Sequence, residues 1–347
     1  MEWSILFTDL LSFLIKTGII IFAIAGILIL IAYFGQLKSL HPTLKIEDWG
    51  MKLENNQHQL QLEILEKDEL KEITKKEKAK AKEQEKEDLR KPRIFLLHFD
   101  GDINASAVTH LKHEINSILT VSKAGDEVVL QLESPGGVVH GYGLAAAELQ
   151  RLRDAGLQLT VCADKVAASG GYMMACVGHK ILAAPFSIIG SIGVLSQVPN
   201  FHRLLKKHEV DYKEYTAGEY KTTVSLLGEI TPEKEKKFLQ MMQGTHDLFK
   251  NHVGHYRPQL DLSKVATGEY WYGLQALELK LVDELKTSDD YLFSKRTSHK
   301  IVFVKHEKKK SLSEKLKGTS AKLISFLNLF QGKTSDLIES KPWEQIR

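Results

Sequence analysis

The chain has little of what builds specialised scaffolds. Its 347 residues contain only 2 Cys, too few for a disulfide framework. With 8 Pro and 24 Gly, its composition excludes a collagen-like, mucin-like or wholly disordered polymer. It also lacks a charge of one sign: 47 Lys+Arg stand against 44 Asp+Glu, a net +3, so no general nucleic-acid footprint exists and nucleic acid is not expected as a partner. What remains, 43% hydrophobic and 26% charged, matches an ordinary soluble protein with room for about two domains. Those averages conceal extremes that lie in separate segments.

The first extreme is Thr17–Leu37, 21 residues without a charge. A helix of that length rises about 30 Å, the thickness of a bilayer's hydrocarbon core. The run is too long for a cleaved signal peptide, its amino-terminal flank is acidic, and no A-x-A-like site precedes Lys38. Residues 1–38 therefore read as an uncleaved anchor in the lipid bilayer. Lys38, Lys45 and Lys52 follow the span and Lys16 alone precedes it, a bias that favours a cytoplasmic carboxyl side. The second extreme, within a spacer over 39–92, is the stretch 66–91, with 19 charged side chains in 26 positions. Pairs such as Glu72/Lys76 and Glu87/Lys91 suit a solvated helix. A second uncharged run, Ile181–Phe201, contains Pro185, Gly190, Gly193 and Pro199 and reads as a buried strand followed by a loop.

From Arg93 the pattern alternates. Strands are predicted at Arg93–Phe99, Glu127–Leu132, Leu157–Cys162 and Lys180–Ala184, with helices at Ala105–Ser122, Gly143–Ala155 and Ala168–Val177 between them. This is an α/β domain over 93–290 with a parallel sheet covered on its faces. Residues 291–347 add a strand at Ile301–Val304, a basic segment at Lys305–Lys310 and an amphipathic helix suited to a neighbour or to anionic lipid.

Two glycine-bearing turns carry chemistry. Ser134-Pro135-Gly136-Gly137 follows a strand, and paired glycines leave backbone N–H groups unshielded, as an oxyanion hole or a phosphate cradle needs. Pro-Gly is also a common plain turn. Ala168-Ser169-Gly170-Gly171-Tyr172 opens a helix, which puts a hydroxyl at a positive helix end. A serine in that position is equally a plain N-cap. A nucleophilic serine needs a base. His140, His179 and His202 are scattered and read as solvated or structural; Lys221 follows a predicted strand in a small-residue turn. A lysine base must fall from a pKa of about 10.4 to near neutrality, which desolvation in an apolar pocket provides. By composition alone Lys221 is a surface charge. Cys162 and Cys176 read as core residues, and Tyr270, Trp271 and Tyr272 as packing rather than ligand binding.

Taken together, Glu133-Ser134-Pro135-Gly136-Gly137, Ala168-Ser169-Gly170-Gly171-Tyr172, Gly190-Ser191-Ile192-Gly193-Val194 and Gly218-Glu219-Tyr220-Lys221 resemble the signal peptide peptidase A family of serine–lysine proteases, in particular its SohB branch of bacterial inner-membrane peptidases. The resemblance implies a Clp-protease/crotonase-like fold behind a transmembrane helix, with Ser169 as nucleophile and Lys221 as general base. It further implies an oxyanion hole from N–H groups near Gly136, Gly137 and Gly170, and a substrate groove along Ser191, Ile192, Gly193 and Val194. No metal and no cofactor are implied. Substrates would be peptides or proteins, such as signal peptides or misfolded envelope proteins. Family members form rings in which neighbours complete each active site, and they work on the periplasmic face, against the lysine bias noted above. One departure is Lys280, where relatives commonly carry Gly at a helix C-terminus. A crotonase-like acyl-CoA enzyme or an inactive scaffold would share the glycine turns, but neither needs Lys221 or an anchor. The Ser–His–Asp arrangement of Clp proteases would need a histidine near Gly193–Val194, and none is there.

Overall fold

The computed structural model describes residues 43–66, 68–70 and 91–307, together with residues 13, 15–24, 26 and 27. Residues 15–24 are helical. The rest of the expected membrane span, the charged run 71–90 and the amphipathic C-terminal helix lie outside the described residues. Among the described residues no helix is long and apolar enough to cross a membrane.

Leu44–His306 forms one compact unit. At its centre is a seven-stranded sheet of β1 (Thr43–Asp48), β10 (Lys300–Glu307), β2 (Arg93–Asp100), β3 (Glu127–Glu133), β4 (Gln158–Ala163), β6 (Lys180–Ala183) and β9 (Glu284–Leu285), in that spatial order. Every pairing from β10 to β9 is parallel. Parallel strands with both faces covered are apolar almost throughout, and β2 shows why. Phe95, Leu97 and Phe99 enter a core with Ile115, Ile118 and Leu149. Ile94 and Leu96, pointing the other way, meet Tyr291, Leu292 and Ile301. The first face is covered by α2 (Val108–Val121) and α3 (Val139–Asp154), the second by α9 (Ser288–Lys295).

A smaller sheet joins β5 (Val166–Ala168), β7 (Ile188–Gly190) and β8 (Tyr270–Tyr272); β5 and β7 run parallel, β7 and β8 antiparallel. The short helix α4 (Gly170–Ala175) leaves directly from β5. The remaining helices are α1 (Trp49–Ile64), α5 (His202–Lys207), α6 (Pro232–Tyr256), α7 (Leu262–Val265) and α8 (Gly273–Glu278). In α6, Thr231 caps the first turn by accepting the Lys234 N–H, and Pro232 sits where its missing N–H is no loss. Only Phe249 and Val253 of its 25 residues are buried, so the helix docks by its carboxyl half and stands clear along the rest.

Two sequence expectations change. The segment expected as a spacer over 39–92 supplies β1 and α1, so the sheet begins upstream of Arg93. No strand precedes Lys221: residues 210–231 contain neither helix nor strand. The run Ile181–Phe201 folds as β6 and β7 followed by an irregular, mostly exposed stretch.

Candidate active site

The two glycine-bearing turns, separated by a helix and two strands in the chain, are tied together by backbone. Ser134 N–H donates to the Val166 carbonyl at 2.8 Å, and Ala168 N–H donates to the Ser134 carbonyl at 3.0 Å. The turn after β3 is thereby fastened alongside β5, immediately before Ser169. Ser169 itself lies at φ 52°, ψ −118°, a backbone region that L-residues with a side chain rarely adopt. It is held there from both sides: its N–H donates to the Gly190 carbonyl at 2.8 Å, and its carbonyl accepts the Met173 N–H at 2.9 Å.

The geometry does not fit a plain cap. Although Ser169 occupies the N-cap of α4, its side chain makes no capping bond, and its Oγ has no hydrogen-bond partner among the described residues. Gly136 closes over it. With φ +93° and no side chain, its α-carbon approaches so closely that a Cβ there would stand 2.7 Å from Ser169 Cβ and 2.8 Å from Gly170 N. The Gly136 N–H donates to Ser134 Oγ at 3.1 Å. The N–H groups of Gly137 and Gly170 meet no acceptor among the described residues, which leaves two backbone donors beside one free hydroxyl.

Ser191 joins this group. It follows Gly190, the register partner of Ala168, and also has positive φ, 52°; its N–H donates to the Glu269 carbonyl at 2.7 Å. The Ile192 side chain is fully buried in the core and faces no groove, whereas Gly193 and Val194 are half-buried. Lys221 is exposed, and among the described residues no hydrogen bond or ion pair joins it to Ser169. The irregular stretch 210–231 that carries it shows apolar side chains to solvent, with Tyr215 88% and Val210 52% exposed. Of the histidines, His179 accepts the Leu159 N–H on Nδ1 at 3.0 Å and has a purely structural post. Two that sequence reasoning passed over come closer: His246 Nε2 lies 3.2 Å from the Ile192 carbonyl and His252 Nε2 2.9 Å from the Met173 carbonyl. Burial pushes His252 below the usual imidazole range, and neither ring reaches Ser169.

Cys162 and Cys176 are buried free thiols that burial pushes up, out of nucleophilic range. Trp271 packs against Gly190, but Tyr270 and Tyr272 stay largely exposed, contrary to the expectation that all three pack. A cleft of about 1070 Å³ runs between α1 and residues 293–301 and contains none of the candidate residues.

The sequence profile of the peptidase family S49 N-terminal region matches residues 5–149, and that of peptidase family S49 matches residues 151–301. The chain belongs to peptidase family S49. It is thus a serine peptidase, and both turns described above fall inside the matched regions. "Probable protease SohB" of Haemophilus influenzae is 48% identical over 86% of this chain and 87% of that protein. Proteins of the same description in two Buchnera aphidicola subspecies, from Schlechtendalia chinensis and Acyrthosiphon pisum, are 53% and 50% identical over 59% and 65% of this chain, in both cases covering 67% of the relative. In this S49 peptidase the departure at Lys280 has a visible accommodation. Lys280 follows α8 at φ 63°, the left-handed position where glycine is at ease. Arg257, paired with both carboxylate oxygens of Asp283 at 2.7 and 2.8 Å, also donates to the Lys280 carbonyl at 3.0 Å and holds the turn.

Proposed function

We propose that this S49 peptidase is a membrane-anchored endopeptidase in which Ser169 is the nucleophile and Lys221 the general base. The carrying observation is the uncapped Ser169 hydroxyl, held in a strained turn beside two backbone N–H groups without acceptors. Neutral Lys221 takes the hydroxyl proton as Oγ attacks a peptide carbonyl; the free N–H groups receive the oxyanion. The lysine then protonates the leaving amine, and water hydrolyses the acyl-enzyme by the reverse route.

Within one chain Lys221 is exposed and makes no hydrogen bond or ion pair to Ser169 among the described residues, which supports its service to a neighbouring protomer in a ring-shaped homo-oligomer. Exposed apolar side chains such as Val210, Tyr215 and Leu226, on the segment that carries it, supply a surface for that assembly. The resemblance in motifs supports a Clp-protease/crotonase-like fold. The uncharged run Thr17–Leu37 supports an anchor in the bacterial inner membrane; the motif resemblance supports a catalytic domain on the periplasmic face and signal peptides or misfolded envelope proteins as substrates. A topology reporter fused after Gln331 tests the side.

Labelling with a serine-reactive phosphonate tests the dyad. Wild type is expected to label at Ser169 and Lys221→Ala to label far more slowly. Equal labelling of the two would remove Lys221 from the mechanism, and labelling elsewhere would remove Ser169.

A further inference from the structure

Two buried hydroxyls behind the Gly136–Gly137 turn take no part in the chemistry above. Ser134 and Tyr142 are each 0% exposed and face one another, Oγ to Oη, at 2.6 Å. Tyr142 Oη donates to the Asp102 carbonyl at 2.8 Å. A phenol carries one proton, so toward Ser134 it accepts, and the serine hydroxyl donates. Ser134 Oγ in turn accepts the Gly136 N–H at 3.1 Å. The direction of the relay is therefore fixed along its length, from Gly136 through Ser134 and Tyr142 to Asp102.

Both ends are secured. The Asp102 carbonyl also accepts the Ala105 N–H at 3.0 Å, and its carboxylate accepts from Ser106 N–H and Oγ at 2.7 and 2.8 Å. Val138 N–H reaches the Ile103 carbonyl at 2.8 Å, fastening the far side of the glycine turn to the same loop. The Tyr142 ring lies directly against the other turn, since a Cβ on Gly170 would overlap its ring atoms. One tyrosine thus touches both segments that carry a free N–H.

We propose that Ser134 and Tyr142 are positioning residues for the oxyanion hole: the relay engages the Gly136 N–H and sets the turn so that Gly137 and Gly170 are the donor pair. Gly136, expected from sequence as a donor, becomes the fixed end of the relay instead. The inference rests on Ser169 being the nucleophile.

The test uses the full-length chain with unfolded casein and a fluorogenic peptide as probes. Tyr142→Phe keeps the ring against Gly170 and deletes only the relay hydroxyl. It is expected to lower kcat about 10- to 100-fold, below the effect of deleting a donor outright, with KM within about 2-fold. Ser134→Ala is expected to do the same, and the double variant to lose no more than either single one, because both disable one device. The pH profile should keep its position, since the base is untouched. A Tyr142→Phe protein whose kcat stays within about 2-fold of wild type, or whose loss lies in KM, would overturn the positioning role and leave the hydroxyls as structural. Ser169→Ala separates the two layers. If it still hydrolyses peptide, the serine assignment fails and the positioning role with it; if it is inactive while Tyr142→Phe is unimpaired, only the positioning role fails.

Discussion

Ser169 and Lys221 belong to regions built on opposite principles. The serine sits where two sheets and a helix meet, its backbone bonded on both sides and its neighbours buried. The lysine sits in 22 residues, 210–231, without helix or strand and with most side chains exposed or half-exposed. The first region is determined by contacts the chain makes with itself. In the second, apolar side chains such as Tyr215 face solvent, and Lys221 itself is exposed. The comparison teaches that the surroundings of Ser169 are finished by folding, whereas the proposed dyad asks something outside the protomer to seat Lys221.

The largest test of that contrast is loss of function in both halves by different routes. Ser169→Ala and Lys221→Ala should each reduce peptide hydrolysis by at least about 10³-fold while the thermal midpoint barely moves. Mixing the two inactive proteins should restore part of the activity if the lysine acts across protomers; a mixture as inactive as its components would place both groups in one chain. Backbone substitutions come next. Gly137→Ala would drive a Cβ into the Ile103 carbonyl, and is expected to cost about 1–3 kcal/mol in denaturant unfolding along with most of the activity. Gly218→Ala, at φ +102° but with nothing within 4 Å, should cost only about 1 kcal/mol. Equal costs at the two positions would erase the distinction between the regions.

A third test probes the buried half through pH. Burial pushes the Glu114 carboxyl up to about 7, although it accepts the His306 N–H at 2.7 Å and lies near the charge of Lys305. Between about 4.5 and 7 the folded protein keeps a proton that the unfolded chain releases, so this group makes stability fall as pH rises through that window. His306, pushed down by burial and by His113 and His110, acts in the opposite sense below about 6.5, where the unfolded imidazole binds the proton first. Glu114→Gln removes the first effect and leaves the second. Its stability should gain about 1–3 kcal/mol on wild type between pH 5 and 7.5, measured by urea unfolding. Parallel curves would show that the carboxyl is solvated. The smallest effect is expected at Lys280, where Lys280→Gly relieves a positive φ and should raise stability by about 1 kcal/mol without changing activity.

The site's rigid half was legible because its signals are local. A serine followed by two glycines after an apolar run announces a tight strand-to-helix turn, and continuous apolar strands announce a sheet covered on both faces. What sequence could not supply was distance. β1 has the short, charged sequence Thr-Leu-Lys-Ile-Glu-Asp, and what makes it a strand is β10, nearly the whole chain away. The strand expected before Lys221 does not form, and 210–231 joins neither sheet. Tyr142, just before the helix expected at Gly143–Ala155, drew no reading from sequence; only the fold brings its hydroxyl to Ser134, eight residues upstream. Lys280 looked like an irregularity because Arg257, which steadies its turn, lies 23 residues earlier.

The positive φ at Ser169 has an evolutionary consequence. A serine in that backbone conformation costs the folded chain about 1 kcal/mol or more that glycine would not. With Ser169 as the proposed nucleophile, selection for hydrolysis is what keeps the side chain there. In a lineage that retained this architecture for scaffolding alone, drift at this codon would run toward glycine and yield a protein that melts later. The residue at this one position therefore records whether a descendant still cuts peptides.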